Sequence, residues 1–409
     1  MTQQLRMLEG YRVLDFTQYV AGPTCTRLLA EMGAQVIKIE AGPRGDRMRD
    51  VELTAAGGSA VFFQHNHSKK SVSLDFTNPR ARELMRELAG RVDVLVENFS
   101  PGVITRLGMD YSVTRKLNPR LIMCSISLAG QTGPLSTKPG YDYIGQAYAG
   151  VTGLTGERDR GPCVTQIAIG DTSTGVAAAM AVVTALLHRE RTGEGQYIDA
   201  SILDTYFHMH DSYVALVSLR PGHEPARSGG LNNSHAPAGV FKVRDEFITL
   251  VVMPHQWPQL VKAIGAPELQ DDPRFSSDES RVANHEALRA IIERWLDLFP
   301  TSAAALQALE RERVPCAPVL SLSQAIGHPH LADRGTVRQV SDPAIGSFAI
   351  PGMPVRLSAW PQRSDLSAPR LGQHNEEVFG GILGLSSKEI AELYADKVLV
   401  REDRAKRDI

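Results

Sequence analysis

Short apolar runs alternate with helical stretches through the first 126 residues, and this alternation restricts the fold more than any other property of the chain. Residues 11–17 are apolar and β-prone. Ala21-Gly22-Pro23 breaks that run, and residues 24–32 read as a helix ending at Gly33. Further strands are expected over 35–40, 71–75, 92–96 and 121–126, with a helix over 79–88. Short buried strands separated by helices predict an α/β fold with a parallel sheet, whose ligands lie at the carboxyl ends of the strands.

The pattern changes after about residue 200. Residues 208–235 are irregular and rich in Gly, Pro, Asn and His, as a linker would be. Residues 239–252 alternate like a hairpin turning at Arg244-Asp245-Glu246, and helices are expected near 256–265, 284–298 and 302–312. A final helix over 387–395 has Ser386 or Ser387 as its cap. A length of 409 residues implies two domains.

Bulk properties narrow the partners. With 43% hydrophobic and 22% charged residues the composition is that of a soluble globular protein, and a net charge of −2 offers nucleic acid or an anionic membrane no global field. The longest apolar run, 176–187, is too short for a membrane span. The start of the chain lacks the apolar core of a secretory signal. Cys25, Cys124, Cys163 and Cys316 show no zinc or disulfide spacing. A reduced, cytoplasmic protein is the expectation.

Several segments invite chemistry. The first strand–turn–helix suggests a dinucleotide site, with Glu40 where a ribose-binding acid would stand, but the glycine fingerprint is missing. The loop 40–49 carries Arg44, Arg47 and Arg49, which suit phosphate or plain solvation. His65 and His67 alternate as strand-borne metal ligands would, without a third ligand, so no metal is expected. Asn98 and Phe99 follow a strand and would line a crevice there, with Arg106 further on. Asp171, in Gly170-Asp171, precedes a long small-residue helix and has two readings. It caps the helix, or it presents a nucleophilic carboxylate that is already ionised near its ordinary pKa of ~3.9. In the second reading Gly170 admits a substrate carbonyl and the helix-start N–H groups stabilise an oxyanion. Lys138-Pro-Gly-Tyr141-Asp142 would add a hydroxyl and a second carboxylate.

Taken in order, Gly10-Tyr-Arg-Val-Leu-Asp-Phe-Thr17, Ala21-Gly22-Pro23, Gly33-Ala-Gln-Val-Ile-Lys-Ile-Glu40, Gly45-Asp46, Val96-Glu97-Asn98-Phe99, Pro101-Gly102, Leu117-Asn118-Pro119-Arg120, Gly140-Tyr141-Asp142, Gly170-Asp171 and Thr192-Gly193-Glu194-Gly195-Gln196 resemble the family III CoA-transferases. That group includes formyl-CoA:oxalate and carnitine CoA-transferases and α-methylacyl-CoA racemases. The C-terminal stretches Asp272-Pro273-Arg274-Phe275, Val314-Pro315-Cys316-Ala317-Pro318-Val319 and Leu371-Gly372-Gln373-His374 extend the resemblance over the whole chain.

The resemblance implies a Rossmann-like large domain (1–205), a linker (206–235), a small α+β domain (236–325) and a linker and C-terminal segment (326–409) returning to the large domain. It also implies an interlocked homodimer of ring-shaped subunits. Asp171 would be the catalytic nucleophile, carrying an acyl anhydride and then a CoA thioester, with CoA and acyl-CoA as substrates and no resident cofactor or metal. CoA contacts would come from Val20, Ala21, Leu74, Asn98, Phe99, Arg106, Lys138 and Tyr141. Ala41 replaces a family arginine, so the 3′-phosphate would pass to Arg44 or Arg47. Where the racemases have a histidine this chain has Tyr141, a poor base at neutral pH, which favours transfer. The glycine run of the oxalate-specific branch is replaced by residues 232–237, including Ser234 and His235, which suggests a bulkier acid; succinyl-CoA is the candidate donor, which no residue reports. A racemase-type enzyme and a non-catalytic CoA-binding homologue are the alternatives.

Overall fold

A computed structural model describes residues 6–51, 58–222, 224–360 and 366–402. Six parallel strands, β1 (Arg12–Asp15), β2 (Gln35–Ala41), β3 (Lys70–Leu74), β4 (Val94–Glu97), β5 (Ile122–Ser127) and β6 (Tyr197–Ser201), form one sheet in the order β3-β2-β1-β4-β5-β6. The order reverses between β1 and β4, whose Val13 and Val94 are paired. That reversal opens a crevice beyond the strands' carboxyl ends, where open α/β sheets hold ligands. The expected parallel α/β architecture is present, and β6 is the strand that periodicity did not announce.

The helices are α1 (Ala21–Glu31), α2 (Ala60–Asn66), α3 (Pro79–Ala89), α4 (Val103–Arg106), α5 (Tyr111–Leu117), α6 (Asp142–Tyr148), α7 (Val151–Leu154), α8 (Ile169–Thr192) and α9 (Ile202–His208). One apolar cluster joins Leu14, Ile37, Val72 and Leu95 to Leu84 and Leu88 of α3 and to Phe379 and Ile390 of the C-terminal helices. The other joins Val13, Val36, Val94 and Ile122 to Leu28 and Leu29 of α1 and Val182 and Leu186 of α8. Strands that carry apolar residues toward both faces need this double cover.

Helix α1 begins at Ala21, three residues before its expected start at Thr24. Proline's fixed φ and missing N–H suit a first helical turn, and Gly22 lies so close to Thr17 that a Cβ would meet its side chain at 2.4 Å. Helix α8 has the length and hydropathy of a membrane span. Its buried stripe of Thr174, Gly175, Ala178, Ala179, Val182, Ala185 and Leu186 makes it a core helix, however.

The chain divides into two compact units. The first comprises residues 1–149, 166–209 and 329–409 and contains the six-stranded sheet. The second comprises 150–165 and 210–328. It is built on an antiparallel sheet of β7 (Ala238–Val243), β8 (Glu246–Val251) and β9 (Cys316–Pro318). Phe241, Ile248 and Leu250 pack there with Trp257, Leu288, Ile292 and Leu309 from its helices. Arg227 ties residues 150–165 to this unit by donating to the carbonyls of Gly153, Glu157 and Arg160. The stretch read as irregular over 208–235 contains a helix, Tyr213–Leu219.

Candidate active site

The turn after β1 is held on every side by buried groups. Asn98, just beyond β4, accepts from the Gln18 N–H at 2.7 Å and donates to the Gln18 carbonyl at 2.8 Å. Its amide therefore clamps the crevice edge rather than standing free for a ligand. Lys38 donates to the Thr17 carbonyl at 2.7 Å and pairs with Asp46 at 2.8 Å. Asp46 in turn accepts the Tyr19 N–H at 3.2 Å. Below the turn, Lys69 pairs with Asp15 at 3.0 Å and also donates to Thr26 and Asn66. All these charges are buried, and such charges persist only when paired and hydrogen-bonded. Burial opposes ionisation of Asp15, but Lys69, Lys38 and the Thr17 hydrogen bonds outweigh it and lower its pKa. Burial brings Lys69 down to about 8.

Glu40 belongs to this platform and is no ribose ligand. It accepts two hydrogen bonds from Arg49, at 2.7 Å each, and one from Ser71 at 2.6 Å. Although burial works against its charge, Arg49 and Lys38 hold Glu40 at about 2. Of the three loop arginines, Arg49 is thus structural, whereas Arg44 and Arg47 are exposed. His65 and His67 end α2 or follow it; burial drops His65 to about 3, and His67 faces Glu31 at 3.5 Å. Among the described residues no group of three or more potential ligands could hold a metal.

Asp171 is the third residue of α8, whose N-cap is Ala168. It therefore does not cap the helix. Its N–H donates to Asp142 at 3.0 Å. Asp142, buried at the start of α6, also accepts from the Tyr206 hydroxyl at 2.7 Å and from Gln146 at 2.9 Å. No ion pair reaches Asp171 among the described residues. Burial, and then the facing Asp142 charge, push the Asp171 pKa up to about 7. The premise that this carboxylate is fully ionised at neutral pH is therefore overturned. The physical reason is a low-dielectric site with a like charge and no cation.

Two further expectations about this turn change. Gly170 is required by the ring of Tyr206, which a Cβ would meet at 2.0 Å, so its smallness serves packing. The first N–H groups of α8 are already engaged: Ile169 with Ile167, Gly170 with the Tyr206 hydroxyl, Asp171 with Asp142 and Thr172 with Ala168. They form no oxyanion hole. The N–H groups of Ala21 and Gly22 at the start of α1 bond to nothing among the described residues. Gly175, one turn beyond Asp171, packs so tightly on α1 that a Cβ would meet the Ala21 carbonyl at 2.6 Å.

The other expected residues fall as follows. Val20 is the N-cap of α1 and Ala21 its first residue. Phe99 packs against the core, and its N–H donates to Glu97 at 2.9 Å. Leu74 ends β3 with its side chain in the core. Arg106 ends α4 and is exposed, as is Lys138. Tyr141 precedes α6, is 67% exposed and meets the Tyr19 ring edge-on at 5.9 Å. A chain of contacts thus links Asn98, Gln18, Tyr19, Tyr141, Asp142 and Asp171 around one crevice. Ser234 and His235 lie in the second unit, where Asn232 accepts both N–H groups and Asp278 pairs with His235 at 3.0 Å. Tyr206 went unnoticed because nothing local distinguishes a tyrosine 35 residues after Asp171 (206 minus 171).

The model of CoA-transferase family III matches residues 8–375. The chain belongs to that family. It is 34% identical to the succinyl-CoA–D-citramalate CoA-transferase of Chloroflexus aurantiacus, covering 96% of this chain and 98% of that one. It is 32% identical to the formyl-CoA:oxalate CoA-transferase of Bradyrhizobium diazoefficiens, covering 96% and 97%. A solved CAIB/BAIF family protein from Brucella suis superposes with a TM-score of 0.81 at 31% identity, over 93% of this chain and all of that one. Rv3272 from Mycobacterium tuberculosis gives 0.81 at 29%, over 91% and 99%. The enzyme is accordingly a family III CoA-transferase working on CoA thioesters.

Proposed function

We propose that Asp171 is the nucleophile with which this enzyme moves CoA from an acyl-CoA donor, succinyl-CoA among the candidates, to a small carboxylic acid. One Asp171 oxygen attacks the thioester carbonyl, the C–S bond breaks, and CoA thiolate leaves an aspartyl–acyl anhydride. The thiolate then attacks the aspartyl carbonyl and releases the donor acid, giving an aspartyl-CoA thioester. The acceptor carboxylate repeats the sequence in reverse: it displaces the thiolate, and the thiolate takes the new acyl group and frees Asp171.

The observation that carries this reading is a half-buried Asp171 carboxylate facing the buried Asp142 with no cation beside it. Such an anion is poorly solvated and basic, and acylation removes its charge. The N–H groups of Ala21 and Gly22 are the donors available to the developing oxyanion, and Val20, Asn98, Phe99 and Tyr141 surround the path of the CoA arm. Arg106, Lys138 and Arg44 are exposed cations suited to its phosphates, and Leu74 ends β3. A homodimer accords with the apolar side chains Val176, Met180 and Leu187 exposed along α8, beside Tyr143 and Ile144 of α6. Four free cysteines accord with the cytoplasm.

Incubation with succinyl-CoA should add an acyl or CoA mass to the intact protein, mapped to Asp171 after hydroxylamine or borohydride trapping. Asp171→Ala should form no adduct and lose at least ~10³-fold in kcat. Wild-type transfer by Asp171→Ala, or an adduct on another residue, would refute the assignment.

A further inference from the structure

Tyr19 has no part in the aspartyl chemistry, yet the fold constrains it heavily. Its φ of 64° lies in the left-handed region, which residues bearing a Cβ seldom occupy unless their surroundings impose it. Here they do. The preceding peptide is clamped by Asn98, and the Tyr19 N–H is drawn to Asp46, which Lys38 holds in the buried platform. The outcome is that the Tyr19 ring stands edge-on to Tyr141 at 5.9 Å and 75°, with the two phenols hydrogen-bonded.

A cation joins them. Arg47 directly follows Asp46, acts electrostatically on the Tyr19 phenol, is exposed, and forms no ion pair among the described residues. Tyr141 directly precedes Asp142, which holds the Asp171 N–H. Two hydroxyls, with Arg47 on the turn that Asp46 ties to Tyr19, therefore stand one residue along the chain from the group that holds the Asp171 N–H. Hydroxyl donors and a forked guanidinium are the partners of a carboxylate, whereas an aliphatic acyl chain has no use for them.

We propose that Tyr19, Tyr141 and Arg47 form a subsite for the distal carboxylate of a short dicarboxylic acyl group. The assignment rests on Asp171 being where the thioester reacts. Donor and acceptor occupy the same acyl position in turn, so one subsite serves both. Arg47 has a competing use as a contact for a CoA phosphate, and the two uses separate experimentally because every CoA thioester carries the phosphates and only some carry the second carboxylate.

The test is calorimetric titration of the full-length Asp171→Asn protein with succinyl-CoA and with butyryl-CoA, a four-carbon thioester without the distal charge. Succinyl-CoA is expected to bind about 10- to 100-fold more tightly, the effect of a charge-assisted hydrogen bond. Adding Arg47→Gln should bring the two affinities together with butyryl-CoA unchanged, and Tyr19→Phe should remove part of the difference. Equal binding of the two thioesters to the parent protein overturns the subsite. Equal weakening of both by Arg47→Gln also overturns it and assigns the arginine to phosphate. Failure to bind either thioester or free CoA would instead refute the placement of the CoA site.

Discussion

Carboxylates at the carboxyl edge of the main sheet meet two opposite environments. Asp15, Glu40 and Asp46 are buried against Lys69, Arg49 and Lys38, and each of these cations lies within 3.0 Å of its acid. Asp171 and Asp142 face each other with no cation between them, and Asp171 rises to about 7 while Glu40 falls to about 2. Desolvation pushes Glu40 and Asp171 the same way, although Glu40 is fully buried and Asp171 half-buried, so the difference comes from the company each acid keeps. Paired acids lock the β1 turn into shape. The unpaired one keeps the raised pKa that suits the proposed nucleophile.

Substitutions that break the pairing on one side and the isolation on the other sharpen this contrast. The largest effect is expected from Lys69→Met, which strands Asp15 in the core. It should cost about 3–5 kcal/mol in chemical denaturation, as loss of one partner of a buried pair does; a loss under ~1 kcal/mol would show that the platform is not structural. Next comes Gly170→Ala, whose new methyl collides with the Tyr206 ring and displaces the turn carrying Asp171. A fall of about 10²-fold in kcat/KM is expected in steady-state assays, with the fold retained by circular dichroism.

The pH dependence should follow the isolated acid. The reactive form is the carboxylate, so kcat/KM should rise with pH to a plateau with an apparent pKa of about 7. Asp142→Asn removes a like charge and should move that midpoint to lower pH. It should stay above the ordinary carboxylate value, because burial is the larger cause. An unmoved midpoint would mean that the two acids do not interact.

The smallest effect concerns stability. Asp171 titrates near 3.8 when unfolded and about 7 when folded, so between those values the native state holds a proton the unfolded chain has released. Its contribution is fully present below the lower value and is lost as pH rises through the upper one. Asp171→Asn should therefore melt ~2–4 °C above wild type at pH 8 and level with it near pH 4, measured by scanning calorimetry.

Much of the architecture was readable from periodicity. Five of the six strands of the main sheet, the β7–β8 hairpin and the Ser386-capped C-terminal helix lie where apolar patterning and cap residues put them. Strand β6 escaped because Tyr197–Ser201 is only partly buried and carries Asp199, so its apolar run is weak. The start of α1 was misplaced because Gly-Pro reads locally as a break, although proline fits a first helical turn. For Asp171, local context suggested a cap and an ordinary ionisation, whereas Ala168 is the N-cap and burial with Asp142 raises its pKa. Glu40 shows the converse: its position at the end of the second strand suggested a ribose ligand, and its actual partner, Arg49, lies in the loop that follows.

The sequence by itself determined the α/β alternation and the family, because these depend on local pattern and on motifs spread along the whole chain. Only the tertiary structure decided which acids are paired, why Gly170 must lack a side chain, and what Tyr19 faces. Those outcomes depend on Tyr206, Asp142, Asn98 and Lys38, which are distant along the chain and become neighbours only when the sheet is assembled. A carboxylate's pKa is set by the charges and solvent within a few ångströms, and linear sequence does not encode that distance.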